Sequence, residues 1–384
     1  MNSSKKLIYI ANLRLPTEKA YGIQIAKTCE AFSNLGINLT VVAPYRISKV
    51  KGDFFDYYSI KRNFKFKKLF SPDFYLPGKL NIIAFGLKNF ISAIILSIYA
   101  IARKPDIIYS RDELPLFLLS FFRNNLVFEA HRFSNSRKFF YRRFKNKNFK
   151  VVVITKHLKD DFIKFGFKPE NILVAPDGVD LAEFDVDMPK EEARVKTGLP
   201  PDRKIVMYTG HLFEWKGAHT LLEAARLIFN DRFLISKNIL FVFVGGTEYD
   251  VEKFRKKAEG LDDVLILGHK PHKDIPLFLK AADVLVLPNS TKEEISRSYT
   301  SPLKLFEYMA SGRPIMASAL PSIIEILNDK NSVLVKPDDL DDLTGGIEKL
   351  LNNNLLGEEL AKKAREDVEN YTWTKRAEKV LRFI

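Results

Sequence analysis

The sequence predicts an α/β protein of two doubly wound, Rossmann-like domains, each a parallel sheet with helices on both faces. Three observations predict it. Short apolar runs alternate with helical patterns from end to end, the rhythm of parallel sheets with crossover helices. A stretch rich in Pro, Asp and Gly, from Leu173 to Pro189, interrupts that rhythm once and divides it into halves. A chain of 384 residues suits two cores of ordinary size, and its 46% hydrophobic and 28% charged residues are those of a globular protein.

The elements follow in order. In the first half, strand Leu7–Ala11 leads through a loop to an amphipathic helix, Ile23–Leu35, ended by Gly36. Strand Leu39–Ala43 comes next, then a helix over 82–102. That helix carries Lys88 and Asn89, so it reads as a buried amphipathic helix rather than a membrane span. Pro105 stops it. Strand Asp106–Tyr109, helix Leu114–Phe122, strands Leu126–Glu129 and Val151–Ile154 and helix Lys156–Phe165 complete the half. In the second half, strands are expected at Ile205–Tyr208, Ile239–Val244, Val264–Leu267, Val284–Leu287, Ile315–Ala317 and Val333–Val335. Helices fill the gaps, as at Thr220–Phe229, where Leu221, Ala225 and Ile228 share a face.

Charge is unevenly shared. Residues 1–150 hold 27 Lys and Arg against 9 Asp and Glu, whereas the whole chain has a net charge of +14. All the excess therefore lies in the first half. The runs 61–68 and 137–147 interleave bases with aromatics. Such runs suit an anionic membrane or acceptor, a plain solubilising surface, or nucleic acid, and no nucleic-acid module supports the last. One cysteine, Cys29, excludes an internal disulfide and a cysteine-rich zinc site, and fits a reducing, cytoplasmic setting. No signal peptide is expected from the N-terminal residues.

The richest motif is Ser301 to Pro314. Ser301 is expected to cap a helix with Pro302 as its first residue and Gly312 beyond its end. The open N–H groups of that first turn favour an anion, and Lys304 in the same turn needs one to offset the helix dipole. Glu307, three residues on, shares the face of Lys304. A phosphate followed by ribose hydroxyls suits that set, and a capped surface helix with an ion pair is the plain alternative. A second loop, Thr209 to Gly217, follows a strand and places Lys216 before a helix, so two lysines can converge on one diphosphate. Its spacing is not that of a P-loop. No Gly-x-Gly-x-x-Gly occurs, Asp185 and Asp187 lie in the linker, and the six histidines lack metal-ligand spacing. In the first half Gly22 opens a helix, His131 directly follows a strand, and Arg111 stands at another strand end.

Taken in order, these segments resemble the retaining glycosyltransferases of the GT-B fold, family 4. The resemblance covers nearly the whole chain. It rests on 174–180 with Phe184, on Gly210 with Lys216 and Gly217, on 267–288, on Ser301–Pro314 and on Tyr371 to Trp373. It implies two domains facing a central cleft: an acceptor-side domain at 1–172, a linker at 173–190, a donor domain at 191–368, and a helix at 369–384 crossing back. By resemblance, Lys216 and Lys304 with the backbone of Ser301-Pro302-Leu303, through the N–H groups of Ser301 and Leu303, would hold the diphosphate of a nucleotide sugar. Glu307 would hold the ribose, and Gly22 and His131 would approach the phosphate and the transferred sugar, His131 as the catalytic group. His211 stands where many relatives carry arginine, and Tyr299 where many carry the first of two glutamates, so both are site candidates. No cofactor or metal is implied beyond the sugar nucleotide substrate. The implied reaction is transfer with retention to an acceptor hydroxyl, on a glycan or lipid-linked precursor at the inner membrane face. An epimerase of the same fold and a non-catalytic donor-binding subunit are the rivals.

Overall fold

A computed structural model describes residues 5–48, 50, 52–230 and 238–384. It divides into two compact units, one running to Pro176 and including Trp373–Ile384, the other Asp177–Thr372.

The first unit is built on strands β1 (Lys6–Ile10), β2 (Asn38–Pro44), β3 (Lys65–Leu69), β4 (Ile107–Ser110), β5 (Leu126–Ala130), β6 (Lys150–Val153) and β7 (Ile172–Val174). They form one parallel sheet in the order β3-β2-β1-β4-β5-β6-β7. Apart from the edge strands β3 and β7, its strands are largely buried, as parallel strands covered on both faces must be. The order reverses between β1 and β4, so those strands part at their carboxyl ends.

The second unit repeats the plan with β8 (Lys204–Thr209), β9 (Ile239–Val244), β10 (Val264–Gly268), β11 (Val284–Leu287), β12 (Ile315–Ser318) and β13 (Val333–Val335). Their order is β10-β9-β8-β11-β12-β13, with the switch between β8 and β11. Two apolar layers, one on each face, fill the space between this sheet and its helices.

One unexpected strand is found and one expectation is corrected. The run 61–68, read as a basic surface stretch, contains β3. The strand is paired to β2 from Lys65 to Leu69, with Phe66 stacked on Phe54 at 4.1 Å between ring centroids. Its lysines suit an edge strand, where charge discourages further pairing. The helix expected at 82–102 runs from Leu80 to Arg103, but its buried face is mixed, Ala93 and Leu96 beside Lys88, Ser92 and Ser97, and many of its large apolar residues face out. Ala84, Lys88, Ser92, Ser97 and Ala100 face inward, while Ile82 and Ile83 are 76% and 64% exposed. The reason is the neighbouring Arg46, a buried guanidinium that needs polar partners. It donates to Ser92 Oγ at 3.0 Å and to Lys88 O at 3.3 Å. This is the one described helix long and apolar enough to cross a membrane.

Candidate functional site

In the second unit the site lies where β8 and β11 diverge. Helix Leu303–Ala310 is capped by Pro302, not by Ser301 as the sequence predicts. The Ser301 hydroxyl instead accepts from Asp177 N at 2.9 Å, fastening the residue before the helix. The helix ends as expected, with Gly312 at φ +66°. Tyr308 ties it to β8, its hydroxyl accepting from Thr209 N at 2.8 Å. That contact sets the first turn beside the carboxyl end of β8.

Lys304, in that turn, is the central group. Its side chain is buried, and its Nζ lies 3.9 Å from the Tyr208 ring centroid with no hydrogen-bond partner. Burial, and then the charge of Lys216, pull its pKa well below the ordinary lysine value, against a smaller opposing effect of Glu307. Lys216 is lowered to about 8, again by burial, with Glu307 opposing. The two lysines and Glu307 therefore share one electrostatic site, with the cations under-neutralised. Gly217 makes the approach of this loop possible: at φ +75°, any Cβ there would strike the Pro288 carbonyl beyond β11.

Glu307 does not pair with Lys304 as the plain surface-helix alternative requires. Its Oε1 is held by His272 Nε2 at 2.9 Å. Tyr299 is buried, and its hydroxyl donates to Glu294 Oε1 at 3.3 Å, so a carboxylate stands beside the position where the resemblance expects one. His211 is stacked flat on Phe213, at 5.0 Å between centroids, in an aromatic run that continues to Trp215.

In the first unit, His131, Arg111 and Glu129 come together at the carboxyl ends of β4 and β5. Glu129 is fully buried. Its Oε1 accepts from Gln24 Nε2 at 2.6 Å and from Arg376 Nη2 at 2.9 Å, and lies 2.7 Å from His131 Nε2; its Oε2 accepts from Tyr109 OH. Arg111 donates to Gln24 Oε1 at 2.8 Å, which joins it to the same network. Burial by itself raises a carboxyl pKa, but the surrounding donors, Arg376 foremost, hold Glu129 far below the carboxylate range. His131 is lowered to about 4 by burial and then by Arg111, which outweigh Glu129, so it is neutral near pH 7. A neutral imidazole facing a carboxylate donates its proton there. Nε2 thus carries the hydrogen and Nδ1 keeps its lone pair.

Gly22 has a packing reason of its own. A Cβ at this position would collide with the Tyr58 hydroxyl, and its N–H bonds to Lys19 O at 2.9 Å. The space left by the missing side chain is filled by protein. The side chains that sequence reading passed over are Glu129, Arg376, Gln24 and His272. Only Glu129 carried a visible signal, a charge inside an otherwise apolar parallel strand.

Lys304 and Lys216 thus set two poorly neutralised amines at a strand switch point beside a helix N-terminus, a setting that favours an anion. Two parallel-sheet units flanked by helices are the GT-B architecture. Residues 22–183 match the family model for glycosyltransferase family 4, and residues 189–367 match that for glycosyl transferases group 1. The chain belongs to this family of glycosyltransferases. It is similar to a glycosyltransferase of Methanocaldococcus jannaschii (26% identical over 231 residues, 58% of this chain and 56% of that one). It also resembles a D-inositol 3-phosphate glycosyltransferase of Catenulispora acidiphila (27% over 179 residues, 44% and 41%). These matches span about half the length of the curated relatives. HepE of Anabaena, solved with UDP and glucose, shares the fold with a TM-score of 0.72 over 98% of both chains at 16% identity.

Proposed function

We propose that the protein transfers a sugar from a nucleotide diphosphate sugar to an acceptor hydroxyl, with retention at the anomeric carbon. The carrying observation is Lys304 Nζ, buried without a hydrogen-bond partner at the strand switch point. A buried ammonium is costly unless an anion meets it, and a diphosphate beside the N-terminus of helix Leu303–Ala310 supplies one. Lys216 shares that charge. The amides of the first turn hold the phosphate, and Glu307, steadied by His272, takes the ribose hydroxyls. As the bond to the anomeric carbon breaks, negative charge grows on the leaving diphosphate, and both lysines stabilise it more in the transition state than in the ground state. The leaving phosphate oxygen takes the proton of the attacking hydroxyl on the same face. His131, neutral and fixed by Glu129, presents an uncharged Nδ1 as an acceptor at the carboxyl end of β5. Lysines and helix dipole supply the charge stabilisation, so the reaction is written without metal or cofactor. That HepE was solved with UDP and glucose supports a nucleotide-sugar donor. The basic first half supports an acceptor at an anionic surface, such as a lipid-linked glycan precursor on the inner membrane face.

A thermal-shift panel of UDP-, GDP- and ADP-sugars tests the reading. The matching donor at 100 times its Kd stabilises by about 2.7 kcal/mol. Lys304→Ala is expected to raise donor KM and lower kcat by about 10²–10³-fold, and unchanged kinetics would remove the anion site. The anomeric configuration of the first product, read by proton NMR, tests retention, and full activity in EDTA is expected.

A further inference from the structure

The chain leaving the carboxyl end of β3 passes through an exposed segment before it settles into the fold. Phe70 is 83% exposed and Tyr75 61%, and in the first turns of helix Leu80–Arg103 Ile82, Ile83 and Phe85 are 76%, 64% and 59% exposed. From Tyr75 to Leu87 only Ala84 is buried, so this length projects from the unit. Scattered apolar side chains on a surface need no explanation, but a contiguous set does. We infer that Phe70 and the projecting segment Tyr75–Leu87 form a docking surface that inserts shallowly into an anionic lipid bilayer.

Charge selects that occupant. No acidic residue occurs from Phe74 to Pro105, while Lys79, Arg103 and Lys104 do. On the adjoining edge strand, Lys65, Lys67 and Lys68 are exposed. Lys67 Nζ lies 5.9 Å and the Arg103 guanidinium 5.2 Å from the Tyr99 ring centroid, which gathers bases toward the carboxyl end of the same helix, while Lys79 stands just before its exposed apolar first turns. Apolar side chains flanked by bases are what an anionic lipid interface takes. A second copy of the chain is the poorer occupant: a two-fold contact brings like patches together, and residues 1–150 carry 27 bases against 9 acids.

The helix lies on the membrane and does not cross it. Its 24 residues would reach across a bilayer, at about 1.5 Å each. Its inner face, however, is tied into the unit: Ser92 Oγ donates to Asn12 Oδ1 at 2.6 Å and Lys88 Nζ to Asp73 Oδ1 at 3.0 Å. A span would expose those groups to lipid. The segment leaves the same sheet edge as Arg111 and His131, since all these strands are parallel. An acceptor held in the bilayer would therefore meet the edge that carries them. The docking stands whether or not a sugar is transferred, because it is read without donor.

Co-sedimentation of the full chain with vesicles of phosphatidylglycerol and phosphatidylcholine tests it. Wild type is expected to bind, about tenfold more weakly when phosphatidylglycerol is omitted. The triple variant Ile82→Ser/Ile83→Ser/Phe85→Ser is expected to lose about a hundredfold in partitioning with its thermal melt unchanged. A single reporter, Ile83→Trp, should show fluorescence quenched by brominated lipid in anionic vesicles, beyond the quenching of wild type. Wild-type binding absent, or retained in full by the triple variant without reporter quenching, overturns the proposal. A dimer in sedimentation equilibrium that the triple variant dissolves, without vesicle binding, overturns it in favour of a second copy.

Discussion

Lys216 and Glu129 show how single groups set the chemistry. Lys216 titrates at about 8, so burial makes its charged form less favourable than in a free lysine and the charge is lost as pH rises through that value. A bound diphosphate reverses that preference, and binding takes up a proton above that pH. UDP affinity, measured by calorimetry, is therefore expected to be flat below about pH 7 and to fall as pH rises through about 8. Lys216→Arg should lessen the fall, because guanidinium stays charged and only Lys304 is left to titrate in the site. A flat profile for wild type to about pH 9.5 would mean that Lys216 does not meet the anion. At Glu129 the issue is burial. Glu129 and Arg376 are both nearly inaccessible, so removing one strands the other. Arg376→Met is expected to cost about 3–5 kcal/mol, a fall in Tm of roughly 10 °C by calorimetry. His131, at about 4, should add no inflection to the rate profile between about pH 5 and 8.

At the scale of elements, the parallel strands were readable because each is a short apolar run between turn residues, a pattern that buried strands impose. What could not be read is telling. Strand β3, Lys-Phe-Lys-Lys-Leu, looks like surface because an edge strand has only one inward residue in two to satisfy. Helix Leu80–Arg103 displays an apolar stripe, but periodicity does not say which side is outward; Arg46, more than 30 positions earlier, decides it. Helix Leu303–Ala310 and both its lysine and its glutamate were visible from spacing. Its true cap and its bond through Tyr308 were not, because they depend on partners across the fold. That bond yields a prediction. Tyr308→Phe leaves Thr209 N buried without its acceptor and should cost about 1–3 kcal/mol. It should also weaken UDP binding, since the helix turn bearing Lys304 loses its fastening to β8. A variant destabilised by urea titration yet binding UDP as wild type would separate the fastening from the site.

For the whole molecule, the notable fact is that the chain returns to the unit it began in. After Thr372 closes the second unit, helix Trp373–Phe383 packs on helix Ala20–Asn34 and delivers Arg376 to Glu129, 247 positions away. No local spacing foretells such a pair, which is why the charge in β5 was seen in the sequence only as a strand residue. The first unit is thus completed by its last segment, and its buried carboxylate stays uncompensated until that segment is in place. A chain ending at Thr372 is expected to lose protection selectively. Amide hydrogen exchange should rise by about two orders of magnitude or more in Ala20–Asn34 and Leu126–Ala130, from a loss of about 3–5 kcal/mol, while Lys204–Thr209 and Ile239–Val244 keep theirs. Equal loss in both units would show that the C-terminal helix supports the whole chain rather than the Glu129 site. Unchanged exchange in both would show that Glu129 needs no such partner.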